Sequence, residues 1–212
     1  MKFDAGRVAS KASSKDLPPT LRRRSSGLEQ FCSILQTPET LSILDMSGAS
    51  QKNISFITGL GHRISSDDIV GTMHDCFGTD FLENQQAASN AQRFLDQTLT
   101  FPEASFDGAL VWDALQFLTP PLIDLAIAQL LRVLRPGGSM LVFFNANERI
   151  TRTPVYTYRI EDSRTLVQIP RGTGYQRSQY FGNQTLEKFF SKASTVKFFL
   201  TRDHLRELIV RR

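Results

Sequence analysis

The sharpest pattern of apolar and polar positions lies between residues 106 and 144, FDGALVWDALQFLTPPLIDLAIAQLLRVLRPGGSMLVFF. Residues 107–112 form a short apolar run flanked by charge and predict a strand. Pro120-Pro121 opens a helix, because proline is tolerated in a first turn. Ile123, Ile127, Leu130 and Leu134 then recur at helical spacing. Pro136-Gly137-Gly138 predicts the end of that helix, since proline cannot continue it and glycine accepts a left-handed turn. Residues 140–144 are continuously apolar, as expected of a strand covered on both faces. Strand, crossover helix and strand of this length predict a right-handed βαβ unit with parallel strands.

The same patterns read along the rest of the chain. Leu28, Phe31, Ile34 and Leu35 mark one face of a helix over 27–36. Residues 41–46, LSILDM, predict a strand, Ser47-Gly48-Ala49-Ser50 a small-residue loop, and 53–60 a helix. Residues 62–66 predict a second strand that Asp67-Asp68 ends. Over 69–92 the pattern suggests a loop and an exposed helix, and 93–95 a third strand ending at Asp96. The stretch 145–183 is long, basic and contains all four tyrosines, with VYTYRI and RTLVQIP predicting a β-hairpin. A short helix over 186–191 precedes strands 196–201 and 205–210 about a tight Arg202-Asp203-His204 turn.

The 212 residues suffice for one domain, or one domain with a tail. Residues 1–27 are rich in Ser, Lys and Arg and predict a loosely attached tail ahead of a domain over 28–212. The net charge of +4 is unevenly spread: seven Lys/Arg against two acids in 1–27, five against fourteen in 28–148, and thirteen against five in 149–212. Basic ends can attract nucleic acid, but a solvated charged surface is the favoured reading. No apolar run approaches the roughly 20 residues of a membrane span, and the N-terminus lacks an apolar signal core, so a cytoplasmic protein is expected. Cys32 and Cys76 form no metal or redox spacing, and no metal is expected.

The segment FD-x-A-L-V-W-D-A-L-x-F-L, the helix after it and R-V-L-R-P-G-G-x-M-L-V together resemble the second half of class I S-adenosylmethionine (SAM)-dependent methyltransferases, of the type 11/12 kind. LTFPEASFD, over 99–107, is similar to the segment that precedes the fourth strand of that family. The resemblance covers about 28–212 and is strongest at 99–144. It implies an α/β, Rossmann-like fold: a mostly parallel seven-stranded sheet with a C-terminal antiparallel hairpin and helices on both faces. It also implies SAM as cofactor. Asp45 matches the acid of the cofactor loop and Gly48 one of its glycines, while Ser47, Ala49 and Ser50 stand where further small residues are usual. Either Asp67 or Asp68 suits the ribose diol, since a carboxylate accepts two hydroxyl hydrogen bonds; one of them can also cap the next helix. The resemblance implies that Asp96 meets the adenine amino group. Trp112 and Asp113 fall at the carboxyl end of their strand, which lines the crevice of an open parallel sheet.

G-x-G-x-x-G spacing is absent, which argues against a nicotinamide or flavin dinucleotide. So is N/D-P-P-Y/F, which argues against common DNA-adenine and protein-glutamine methyltransferase classes. SAM carries an already activated methyl group, so a methyltransferase needs alignment more than a catalytic side chain. Accordingly no catalytic base is assigned: His204 sits in a distal turn, and His62 and His74 are expected at the surface. Two functions follow. One is a SAM-dependent methyltransferase acting on a small molecule; the other is a non-catalytic methyltransferase-like module with a degenerate loop. The 148–183 insertion is expected to overhang the site as a lid or substrate-facing hairpin, or else to serve as a structural arm.

Overall fold

The computed structural model describes residues 18–201 and 203–212; most of the predicted basic tail lies outside them. The chain runs β1 (Leu21–Arg24), α1 (Ser26–Ile34), β2 (Ser42–Asp45), α2 (Gln51–Gly59), β3 (Arg63–Ser66), α3 (Ile69–Phe77), α4 (Phe81–Asn84) and α5 (Ala88–Gln97). It continues through β4 (Phe106–Trp112), a 3-10 turn (Ala114–Phe117), α6 (Pro120–Val133), β5 (Leu134–Asn145), β6 (Arg152–Asp162), β7 (Thr165–Arg177), α7 (Asn183–Phe189), β8 (Thr195–Leu200) and β9 (Leu205–Arg211).

The main sheet has the order β3-β2-β4-β5-β9-β8. Its first four strands are parallel, and β9 and β8 close it antiparallel. This is the Rossmann-like α/β sheet with its terminal hairpin, built from six strands and not seven. The apolar runs explain themselves by alternation. Ile43, Leu110, Trp112, Leu141 and Phe143 face α1, α2 and the 152–177 hairpin. Leu44, Ala109, Val111, Met140 and Val142 face α3, α5 and α6. Helix α1 lies so close to β4 that a Cβ on Gly108 would stand 2.8 Å from the Phe31 ring.

Several expectations are corrected. Residues 93–95 are helical: Phe94 packs on Phe77 with ring centroids 5.2 Å apart, and Arg93 turns outward to bond the carbonyls of Asp75 and Cys76 at the end of α3. Pro136-Gly137-Gly138 lies inside β5 and does not itself end α6. The chain turns extended at Leu134, one residue ahead of Arg135, whose place before Pro136 disfavours helix, and Gly137 takes φ +82 within the strand. His62 is buried, its ring bonded to Leu41 N and Leu35 O. Both cysteines are buried and free.

Residues 21–24, read as tail, are a strand. β1 pairs antiparallel with β7, which pairs with β6, so the predicted hairpin becomes a separate three-stranded sheet. The run Arg22-Arg23-Arg24 alternates in use. Arg22 pairs with Glu161 at the surface, while Arg23 turns inward to Thr201 and Asp203.

Candidate functional site

Asp45 ends β2 and is wholly buried. It accepts from Ser47 N and Ser47 Oγ (both 3.1 Å), Asn53 Nδ2 (2.6 Å) and Trp112 Nε1 (2.8 Å). Burial pushes its pKa up, and these donors pull it back only in part. The loop that follows packs down on the next strand's acids. Gly48 sits at φ +84, where a side chain is strained, and its N–H donates to Asp67 O at 2.9 Å. Ser47 bridges to Asp68, and Ala49 is exposed.

Asp67 and Asp68 point to different partners. Asp67 accepts from Leu99 N at 3.4 Å, and burial raises its pKa. Asp68 caps α3 by accepting from Gly71 N at 2.9 Å. It also receives both guanidinium arms of Arg171 at 2.5 Å, across from β7. Burial works against ionisation there, but Arg171 and the Gly71 N–H outweigh it and hold the carboxyl below its ordinary value.

At the end of β4, Trp112 adopts φ +58, an uncommon conformation for a bulky residue. Its indole stacks on Tyr158 of β6 at 4.8 Å and 3°. Asp113 accepts from Gln116 Nε2 at 3.1 Å, and the Tyr158 hydroxyl, which accepts from Gln168 Nε2 at 3.1 Å, lines the same cavity. Its burial pushes its pKa up to about 7, and the neighbouring Tyr158 hydroxyl and the backbone N–H of Asp113 itself lower it only partly. The structure therefore gathers Asp45, Ser47, Gly48, Ala49, Asp67, Asp68, Trp112 and Asp113 at the carboxyl edge of the sheet. Asp96 is elsewhere, exposed on α5 and bonded to Gln92.

Sequence reading missed the groups that seat the hairpin on this corner. Asn53, in the first turn of α2, donates to Tyr158 O (3.0 Å) and accepts from Ile160 N (2.7 Å) while holding Asp45. Arg171 and Tyr158 carried no signal beyond lying in a basic, tyrosine-rich insertion. Two cavities flank the hairpin. One, of about 650 Å³, lies between α3 and β7 and is lined by Val70, Gly71, His74, Arg152, Arg171 and Tyr175. The other, of about 370 Å³, is lined by Arg23, Asp113, Gln116, Tyr156, Tyr158 and Gln168. Arg152 and Tyr175 border both, and Arg152 donates to Tyr175 O at 2.7 Å to fix the partition. Among the described residues no group of three or more His, Cys, Asp or Glu is placed to hold a metal, and no helix is long and apolar enough to cross a membrane.

The strand order, the crossovers and the acids at the ends of β2 and β3 define a Rossmann-like fold of the class I methyltransferase kind. Residues 44–142 match the family model described as a methyltransferase domain. The chain carries the fold of class I SAM-dependent methyltransferases. Among solved structures, the PH0226 protein of Pyrococcus horikoshii OT3 is similar, with 12% identity, 86% of each chain covered and a TM-score of 0.51. A SAM-dependent methyltransferase from Aquifex aeolicus is similar at 12% identity, with 87% of this chain and 88% of that one covered and a TM-score of 0.50. No curated protein matches the sequence.

Proposed function

We propose that this chain is a SAM-dependent methyltransferase acting on a small-molecule acceptor, with the cofactor held at the β3–α3 end of the corner. One juxtaposition carries the reading: both partners of the Asp68 side chain, Gly71 and Arg171, line the 650 Å³ cavity, and Asp68 itself bridges to Ser47 of the small-residue loop. A carboxylate there suits a ribose diol in kind. Its present partner is exchangeable, because the Asp68 and Arg171 side chains are 39% and 31% exposed. Such a pair contributes only about 0–1 kcal/mol. The cavity is within the usual size of ligand sites.

The other residues divide by availability. Asp45 has its oxygens engaged and braces the loop without touching a ligand. Ser47, Gly48 and Ala49 present the loop backbone, Asp67 holds Leu99, and Trp112 and Asp113 form the wall toward β4. When bound, SAM would supply a sulfonium-activated methyl group. The chain's part is to orient both molecules and to exclude water beneath the hairpin. Nucleic acid is the less favoured partner, since Arg164, Arg171, Arg177 and Arg212 are engaged by Glu29, Asp68, Asp80 and Glu103.

A second reading, a non-catalytic module, is favoured by the seating of the hairpin. Tyr158, Ile160 and Leu166 are 0–2% exposed and belong to the core that covers the corner. Calorimetric titration with SAM and S-adenosylhomocysteine separates the two. Saturable binding is expected, weakened at least about tenfold in Asp68→Ala and abolished in Gly48→Arg, with melting curves confirming that each variant folds. A folded wild type that binds neither compound leaves the non-catalytic module.

A further inference from the structure

The 370 Å³ cavity lies on the other side of Arg152 and Tyr175 from the 650 Å³ one and reaches the corner only at Asp113. It opens over Asp113 and Asn145, at the carboxyl ends of β4 and β5, beneath β6 and β7. Its floor is a polar network in two parts. Gln168 Nε2 donates to the Tyr158 hydroxyl at 3.1 Å; beside that pair, Gln116 Nε2 donates to Asp113 Oδ2 at 3.1 Å and Gln116 Oε1 accepts from Asn145 N at 3.0 Å. Every member is buried, from 1% exposed at Tyr158 to 6% at Asn145. Such a network holds its groups in fixed directions before anything binds.

Two of the lining residues carry buried polar atoms with no partner, Arg23 Nε and Thr153 Oγ1. The rest of the Arg23 guanidinium is tied to Thr201 and Asp203, so its Nε–H cannot turn away. A buried donor without an acceptor costs about 1–3 kcal/mol, and an unsatisfied group in a native structure calls for an explanation. Ile150, Pro154 and Tyr156 supply apolar or flat surface, and the His204 imidazole adds a further polar group at the wall. Formal charges nearly cancel, with Arg23 and Arg152 against Asp113 and Asp203.

We propose that this cavity binds a small, flat, uncharged molecule whose polar edge carries a hydrogen-bond acceptor and a hydroxyl or ring N–H. The acceptor meets the Arg23 Nε–H, the hydroxyl or N–H meets Asp113, and the body of the molecule lies against Tyr156 and Ile150. Simple hydroxyarenes with a carbonyl group have this chemistry. Asp113, poised near neutrality, can accept or donate the bond at physiological pH. If the methyltransferase reading holds, this is the acceptor's place; the binding itself does not depend on that reading.

Trp112 is the chain's single tryptophan, and it stacks on Tyr158 directly behind the cavity floor. It therefore reports occupancy. The full chain, without SAM, is titrated with 4-hydroxybenzamide and, separately, 4-methoxybenzamide while Trp112 emission is followed. A saturable change is expected with the hydroxy compound. It should be about tenfold or more weaker with the methoxy compound and in Asp113→Ala, and lost in Thr153→Phe, which fills the cavity. Absence of saturation up to about 10 mM in the folded wild type, a limit set by so few ligand atoms, overturns the proposal. So does unchanged binding in a folded Thr153→Phe chain. Because SAM is absent, failure here leaves the cofactor titration untouched, and failure of that titration leaves this site standing.

Discussion

Asp45 and Asp113 end adjacent strands and are buried under the same hairpin, yet their ionised forms are supported unequally. Asp45 has four donors; Asp113 has one side-chain donor, Gln116. Burial therefore dominates at Asp113 and lifts it to about 7. The folded chain then holds this proton more tightly than the unfolded chain does. Below about pH 4 both states are protonated and no penalty exists. As pH rises from about 4 to about 7 stability falls, and above about 7 the loss levels off. Asp113→Asn should remove this slope, a difference of at most about 4 kcal/mol at pH 8 relative to pH 4. Urea unfolding of both chains across that range checks it; parallel profiles would assign the slope to other acids. Asp67 and Glu207, also raised by burial, give slopes of the same sign in both chains.

At the scale of elements, the hairpin is joined to the corner by two contacts of different weight. Asn53, Tyr158 and Ile160 lock β6 in the interior, whereas Arg171 holds β7 to Asp68 through a half-exposed pair. Arg171→Ala should cost no more than about 1 kcal/mol of stability. It should speed amide exchange near residue 171 but leave Tyr158 and Ile160 protected, and it should tighten SAM binding by freeing Asp68. Slower exchange or weaker SAM binding would mean that Arg171 helps to hold the cofactor. The elements around this contact were readable in the sequence to different degrees. Strands β2, β4 and β5 announced themselves because both their faces are covered, and the acids at their ends follow from the topology. The hairpin was legible from its alternation, but its destination was not: periodicity shows which face is apolar, not what covers it. Asn53 meets Tyr158 105 residues away, and Arg171 meets Asp68 103 residues away, so no local pattern marks either. Residues 93–95 failed for the opposite reason. Three residues are too few to separate strand from helix, and the phase is set by Phe94 against Phe77.

At the scale of the molecule, the three-stranded sheet is fastened to the Rossmann core from both ends. Tyr158, Ile160 and Leu166 pack into the core, and β1 runs directly into α1, whose Leu28 and Phe31 lie in the same cluster. Gly27 N adds a 2.6 Å bond to Glu207 of β9. Removing residues 1–24 should leave the main sheet intact by far-ultraviolet circular dichroism while loosening the hairpin. Trp112 emission should shift to the red as its cover becomes mobile; unchanged emission would mean that β6 and β7 need no third strand. The pairing of Leu21 with Gln168 spans 147 positions, 168 minus 21. Closing so long a loop carries an entropic cost that must be met before any ladder bond forms. The first strand of the chain is thus among the last to find its place. During synthesis the parallel core can assemble while β1 still waits, unpaired, for a partner that the ribosome has yet to make.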